Sequence, residues 1–338
     1  MIISASRRTD IPAFYSSWFI NRVREGFLLT RNPFNAHQIK RVSLKSEDVE
    51  VFVFWTRNPS KLMPFLPEMD SQGYRYYFQY TVTGYPRSVE KSVPSPHRAI
   101  ETFINLSQQV GSDKVVWRYD PILLSNLLPL DKHKRLFSKI AGMLAGKTSR
   151  VVISFADFYK KTEKNLKTVD SLICSDITQY QEQLLELSAY MAKVSTAYGM
   201  EIKSCAEAVD IINAGVPHGK CIDDELIKEV FGLSLDSKKD SGQREECGCI
   251  KSIDIGVYNT CLHGCSYCYA TFNHDAVIKN QKKHDPLSSW PYGIEYFWLL
   301  GLVLCEAQRR EHSRSYVTGV VTKQSAGTRS QKYMISYG

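Results

Sequence analysis

The sequence predicts an α/β fold, a parallel (βα) barrel or partial barrel of TIM-like type. Three observations predict it. Short apolar runs rich in β-branched and aromatic residues recur along the chain, stretches with apolar residues at helical spacing lie between them, and polar residues follow the runs.

The strand readings are IISAS (2–6), VFVFW (51–55), YYFQYTV (76–82), KVVWR (114–118), RVVISF (150–155), EIKSC (201–205) and SIDIGVY (252–258). Helical spacing marks 14–26, 97–111, 132–146 and 180–199, and several of these end at a glycine, as a helix C-terminus prefers. Residues 27–44 read as an inserted hairpin turning at NPFNAH, a candidate lid over the barrel mouth. Residues 232–246 are polar and read as a loop leading into a cysteine-rich segment. The expected organisation is a barrel body over 1–231, a cysteine-rich iron–sulfur segment over 232–286 that completes it, and an atypical C-terminal tail over 287–338.

At 338 residues, 43% hydrophobic and 23% charged, the composition is that of a globular protein and argues against disorder. The first ten residues show no signal-peptide pattern, so a cytoplasmic location is expected. The longest apolar run, Tyr296 to Cys305, falls well short of the roughly 20 residues that span a bilayer and reads as a buried helix. No membrane partner is expected. The formal charge of +8 makes a nucleic-acid substrate a candidate, yet half the excess sits in residues 306–338.

In a (βα) barrel the loops after the strands form the active-site face. Ser4, Ser6, Arg7, Arg8 and Asp10 follow the first strand reading, Arg118 and Asp120 the fourth, and Lys160 and Lys161 the fifth. Guanidinium and ammonium groups there suit a carboxylate or phosphate, so Arg118, Asp120, Lys160 and Lys161 are substrate-binding candidates; ion pairing among themselves is the plainer alternative. The sequence carries no P-loop, dinucleotide-binding glycine motif or HExxH.

Nine cysteines crowd toward the last third of a long chain, which favours metal or cluster ligation over disulfides. Cys261, Cys265 and Cys268 form C-x3-C-x2-C. Three thiolates so spaced cap three irons of a cube and leave the fourth open. Zinc is the alternative, since Cys247 and Cys249 bring the count to five thiols in 22 residues, but zinc pairs are more often C-x2-C and the nearer pair here is C-x-C. Cys205, Cys221, Cys247 and Cys249 are candidates for a second, fully ligated cluster, with ordinary burial as the alternative for each. His263, inside the trio loop, is a possible ligand or simply a loop residue.

The segment YNTCLHGCSYCYA (258–270) resembles the cluster motif of the radical S-adenosylmethionine (radical SAM) enzymes. That resemblance implies a 4Fe-4S cluster on Cys261, Cys265 and Cys268, S-adenosylmethionine as cofactor, Tyr267 beside its adenine, and a reductant or electron-donor protein as partner. It implies reductive cleavage of the cofactor to methionine and a 5'-deoxyadenosyl radical acting on an unidentified substrate. The chain departs from the pattern twice. Radical SAM barrels carry the trio after their first strand and a Gly-Gly-Glu-like stretch after the next. Here the trio comes last, and the stretch is not evident, so SASRRTD is expected to take its duty. Closure of the sheet would make first and last strands neighbours, so the chain reads as a circularly permuted radical SAM barrel; a separate cysteine-rich lobe is the alternative.

Most of the chain resembles the domain of unknown function 1848 family, through ISASRRTDIPAFYS, RNPFN, VFWTRNP, WRYDPI, SFADFYKKT, CAE, HGKCID, QREECGC, DIGVYNTCLHGCSYCYA and KKHDP, between residue 2 and about residue 286. That resemblance implies a late cysteine trio and no particular activity. The competing functional class is a metal-stabilised binding module, held by zinc or a closed cluster and presenting a basic surface to nucleic acid.

Overall fold

The seven runs read as strands all enter one parallel sheet, and the last of them pairs with the first. The computed structural model describes residues 1–32 and 35–290. In chain order the elements are β1 (Ile2–Ala5), α1 (Ile11–Phe14), α2 (Ser16–Glu25), β2 (Phe27–Asn32), β3 (Asn35–Ser43), β4 (Val51–Thr56), α3 (Leu66–Ser71), β5 (Tyr76–Thr81), α4 (Pro96–Val110), β6 (Val115–Ile122) and α5 (Leu130–Leu144). They continue with β7 (Arg150–Phe155), α6 (Lys160–Leu166), α7 (Gln181–Ala197), β8 (Glu201–Cys205), β9 (His218–Gly219), α8 (Asp224–Phe231), β10 (Ile253–Asp254) and α9 (His274–Lys282).

The sheet runs β10-β1-β4-β5-β6-β7-β8-β9, every pair parallel, and curls into a half-barrel with helices on its flank. β9 and β10 are its edges, so the barrel is partial rather than closed. β10 pairs with β1 at Ile3–Ile253 and Ser4–Asp254, which puts the strand before the cysteine trio beside the first strand, as the permuted reading requires. The run read as 252–258 keeps only two strand residues, because Gly256 turns out of the sheet close to β1. A Cβ at Gly256 would lie 1.8 Å from Ser6 Oγ, so no other residue fits there as the backbones stand. β9, an eighth strand two residues long, carries no pattern that a sequence reading detects.

The period-two alternation of the strands sorts side chains to two faces. Ile3, Phe52, Phe54, Phe78, Trp117 and Ile153 point outward and pack under the helices with Phe19, Phe103, Phe137 and Leu187. Phe19 meets Phe52 and Phe54 edge-on at 5.3 Å each. The opposite residues, Ile2, Val51, Val53, Tyr77, Val116 and Val152, point inward and pack against Cys221, Ile222, Leu226, Ile227 and Ile250. The 221–250 region therefore fills the inner face at one end. α8 within it starts where Asp223 accepts hydrogen bonds from the Glu225 and Leu226 amides and stops at Gly232, whose φ of 68° is left-handed.

Farther along the same strands the inward residues turn polar: Ser4, Trp55, Gln79, Thr81, Arg118, Asp120, Ser154 and Cys205. This change gives the half-barrel an apolar floor and a polar mouth at the C-terminal strand ends. β2 and β3 form the expected antiparallel hairpin, but none of its described residues lines the mouth, so it is not placed as a lid there. Residues 286–289 lie against α2 and β2: Trp18 Nε1 donates to the Ser288 carbonyl, Arg22 Nη2 to that of Leu287, and the Leu29 amide to that of Ser289, each at 2.9 Å. The buried helix expected from Tyr296 to Cys305, and the tail beyond residue 290, lie outside the described residues. Among those that are described, no helix is long and apolar enough to cross a membrane.

Candidate functional site

The C-terminal strand ends surround a cavity of about 490 Å³. Its wall takes Ser6 to Asp10 from the loop after β1, Trp55 to Arg57 from the end of β4, Arg118 and Asp120 from β6, and Cys205 from β8. Cys261, Cys265 and Cys268 line it from one side, and Cys221, Cys247 and Cys249 join Cys205 in lining it as well. The three cysteines of the trio are thus at the mouth and not on a separate lobe.

The trio loop is held from both sides. Asn259 and Gly264 take left-handed backbone (φ 57° and 64°), which lets the chain reverse twice within the motif. The Ser92 amide donates to the His263 carbonyl and the Ser266 amide to that of Val89, both at 2.9 Å, and Glu90 and Cys265 form an antiparallel bridge. On the other side Thr9 Oγ1 donates to the Val257 carbonyl at 2.8 Å and meets the Thr260 hydroxyl. Burial pushes the Cys261 thiol well up, with Cys268, Asp10 and Cys265 adding to the effect. Burial likewise pushes Cys265 up to about 12, opposed by the Arg57 guanidinium and reinforced by Glu90 and Cys268.

Asp10 ties three loops together. Its carboxylate accepts from the Ala13 amide (2.9 Å), Thr56 Oγ1 (2.8 Å), the Arg57 amide (2.7 Å) and His263 Nε2 (2.7 Å). His263 is buried, and its Nδ1 has no hydrogen-bond partner. Local spacing offers no hint of this pairing, since the two residues stand 253 positions apart.

The rest of SASRRTD is organised about Asp254, which the sequence reading passed over. Ser4 Oγ, Ser6 Oγ and the Arg7 amide each donate to its carboxylate at 2.8 Å, the Gly256 amide at 3.0 Å and Arg8 Nε at 3.2 Å. Burial alone would raise the Asp254 carboxyl, but Arg8, the Arg7 amide and the other donors outweigh it and hold the group below its ordinary range. Ser6 and Arg8 thus line the cavity while bonded to Asp254, whereas Ser4 bonds Asp254 and does not line the cavity. The available signal was one acid inside an otherwise apolar strand.

Tyr267 lines the cavity beside the trio. Its hydroxyl donates to Glu90 and accepts from Arg57, while Arg57 Nη1 pairs with Glu90 at 2.9 Å and Thr83 Oγ1 donates to the same carboxylate at 2.6 Å. The ring meets Tyr85 edge-on at 6.2 Å. Its phenol is pinned, and its orientation with it.

Cys205, Cys221, Cys249 and Cys247 make a second group. Cys205 Sγ lies 2.7 Å from Cys221 Sγ, the Cys221 and Ile222 amides donate to Cys249 Sγ at 3.3 and 3.4 Å, and Arg118 Nη1 donates to Cys221 Sγ at 2.7 Å. Hydrogen bonds from Cys221 and Cys247 hold the Cys249 thiol far below the usual range, with burial opposing and Arg7 assisting. Among the described residues no three His, Cys, Asp or Glu side chains are set as the cage of one metal ion.

Arg118 and Asp120 reach the cavity but pair with each other, Nε to Oδ1 at 3.0 Å, the plainer of the two expected outcomes. Lys160 and Lys161 open α6 and do not line the cavity; Lys161 Nζ stands 4.3 Å from the Phe272 ring centroid. Five arginines line the cavity, and four are matched by carboxylates: Arg8 with Asp254, Arg57 with Glu90, Arg118 with Asp120 and Arg244 with Asp157. Arg7 is not ion-paired among the described residues, and its Nη2 is buried without a hydrogen-bond partner.

The family model "Domain of unknown function (DUF1848)" matches residues 2–270. The chain belongs to this family. The matched span covers the sheet, both cysteine groups and the Asp254 clasp, so the cavity is built from family sequence. No curated protein matches the chain. Among solved structures, a putative alpha-L-fucosidase from Bacteroides thetaiotaomicron VPI-5482 is similar at 11% identity over 60% of this chain and 83% of that one, with a TM-score of 0.25. At that likeness nothing about this chain's chemistry follows.

Proposed function

We propose that the protein is an iron–sulfur enzyme of the radical SAM type, with Cys261, Cys265 and Cys268 as ligands of a 4Fe-4S cluster. One observation carries the reading: the C-x3-C-x2-C loop follows a strand that pairs in parallel with β1, so the trio meets the cavity at the C-terminal strand ends. The donor set fits such a cluster, being three soft thiols with no fourth cysteine in their loop. Bound there and reduced by one electron, the cluster would cleave S-adenosylmethionine to methionine and a 5'-deoxyadenosyl radical.

The chain's own residues supply the setting. Asp10 and His263 tie the motif to the loops after β1 and β4, which holds the trio loop at the cavity. Arg57 and Glu90 fix the Tyr267 phenol, so the ring lines the cavity in one orientation, suited to an adenine neighbour. Trp55 and Arg7 line the cavity wall, and much of that wall is shared with the second cysteine group. Substrate and electron-donor protein stay unidentified. The basic excess that made nucleic acid a candidate is halved by a tail outside the described residues.

The test is anaerobic reconstitution with iron and sulfide, metal analysis, and addition of a reductant with S-adenosylmethionine. Methionine and 5'-deoxyadenosine are expected, and Cys261→Ala/Cys265→Ala/Cys268→Ala abolishes both. A folded protein that holds stoichiometric zinc, takes up no iron and leaves the cofactor intact refutes the proposal.

A further inference from the structure

We infer that Cys205, Cys221, Cys247 and Cys249 form a second metal centre, a site for a fully ligated iron–sulfur cluster, with Arg7 and Arg118 as its charge partners. The trio does not enter this inference.

The four thiols come from three separate places in the chain: the end of β8, the turn after β9, and a loop that returns across the inner face. Each position is held independently. Tyr77 Oη and Gln79 Nε2, both pointing inward from β5, donate to the Cys221 carbonyl at 2.7 and 2.8 Å. The Ile250 amide donates to the Ile222 carbonyl at 3.2 Å, which draws Cys249 against Cys221. Asp157 holds Arg244 at 2.7 Å and so anchors the loop just before Cys247. All four cysteines are free thiols.

Several features favour a cluster over zinc. The spacing Cys205, Cys221, Cys247, Cys249 lacks the C-x2–4-C pairs usual in structural zinc sites. Three N–H donors address them, from the Cys221 and Ile222 amides and Arg118, and such bonds to sulfur tune cluster potentials. A four-thiolate cluster is anionic, and the cations it needs are present. Arg118 touches Cys221, and Arg7, the unpaired guanidinium of the cavity, stands over the same indole as Arg118: the two lie 5.4 and 5.0 Å from the Trp55 centroid. Arg7 has a buried nitrogen with nothing to bond, and an anionic cluster beside Cys249 would satisfy its charge.

The full chain carrying Cys261→Ala/Cys265→Ala/Cys268→Ala, reconstituted anaerobically, is expected to keep about four irons and four sulfides. It should give an electron paramagnetic resonance signal on dithionite reduction that S-adenosylmethionine leaves unchanged. Cys205→Ala/Cys221→Ala/Cys247→Ala/Cys249→Ala should lose that signal. A folded triple variant with no iron, or with zinc in its place, overturns the inference. Should the triple variant fail to fold, iron in the unmodified protein decides, with about eight per chain supporting the second centre and about four overturning it. Arg7→Gln supplies an independent readout: at a fixed poise the reduced-to-oxidised ratio of the second signal should fall about tenfold, equivalent to about 59 mV for one electron. An unchanged ratio removes Arg7 from the assignment. Failure of the radical reading looks different, because a triple variant that keeps its four irons while the unmodified protein cleaves no cofactor upholds this centre and refutes the other.

Discussion

Asp254→Asn tests whether one carboxylate clasps the end of the chain to its beginning. The side chain keeps its shape but loses its charge and one acceptor oxygen. Oδ2 receives Ser4 Oγ and the Arg7 amide, and Oδ1 receives Ser6 Oγ, Arg8 Nε and the Gly256 amide. Whichever oxygen becomes NH2, it faces at least one backbone N–H that cannot turn away, and Arg8 loses its carboxylate partner. Removing one member of a buried ion pair costs about 3–5 kcal/mol. Asp254 and Arg8 side chains keep 12% and 15% exposure, so the lower end, about 3 kcal/mol, is expected. The loss is local to the β10–β1 seam, so hydrogen exchange is the assay. The Ile255 amide, which donates to the Ser4 carbonyl at 3.0 Å, should exchange roughly a hundredfold faster, at 1.4 kcal/mol per tenfold. The sign of the pH dependence follows too. A carboxyl held below its ordinary range contributes stability above that range, near pH 4, and loses it as pH falls toward the folded value; the Asn variant should lack this slope. Unchanged exchange at Ile255 and an unchanged acid limb would refute the clasp.

His133 is buried, accepting from Tyr119 at Nδ1 and donating to the Leu123 carbonyl at Nε2, and burial pushes its pKa down to about 4, with the Leu123 bond opposing. The unfolded chain therefore takes up a proton first as pH falls below about 6.5, and up to about 3 kcal/mol of stability is lost between there and pH 4; comparing denaturation of the unmodified protein and His133→Gln at pH 7 and pH 5 should show a flatter decline in the variant. Tyr267→Phe removes a phenol bonded to Glu90 and Arg57 while leaving their ion pair, so a stability loss of about 1–2 kcal/mol with cofactor cleavage retained is expected, whereas Tyr267→Ala should lose cleavage as well. Cleavage surviving in the Ala variant at full rate would remove the ring from the cofactor site.

The strands and helices were legible because each carries its own period. VFVFW is apolar on both faces, as a buried parallel strand tends to be, RVVISF sets Val151, Ile153 and Phe155 on its outward face, and α4 and α5 show a single apolar stripe. The trio was legible because its three donors share one loop. What escaped was written in distance rather than pattern. Asp10 with His263, and Asp254 with Ser4, Ser6 and Arg8, are partners some 250 residues apart, and nothing in either neighbourhood marks the other. Lys160 and Lys161 follow a strand as the cavity arginines do, yet they begin a helix whose cavity-facing residue is Thr162. β9 is too short to have a period at all.

The pairing of β10 with β1 orders events during synthesis. Ser4 leaves the ribosome 250 residues ahead of Asp254, a delay of roughly 12 to 50 s at 5–20 residues per second. Through that interval the β10-facing edge of β1 has no strand to pair with, and an unpaired edge is an invitation to other chains. A nascent chain stalled before residue 253 would carry a nearly complete sheet, an open seam and no trio. The cavity wall is therefore completed last: the chain must close its first strand with β10 before the 261–268 loop can reach the mouth.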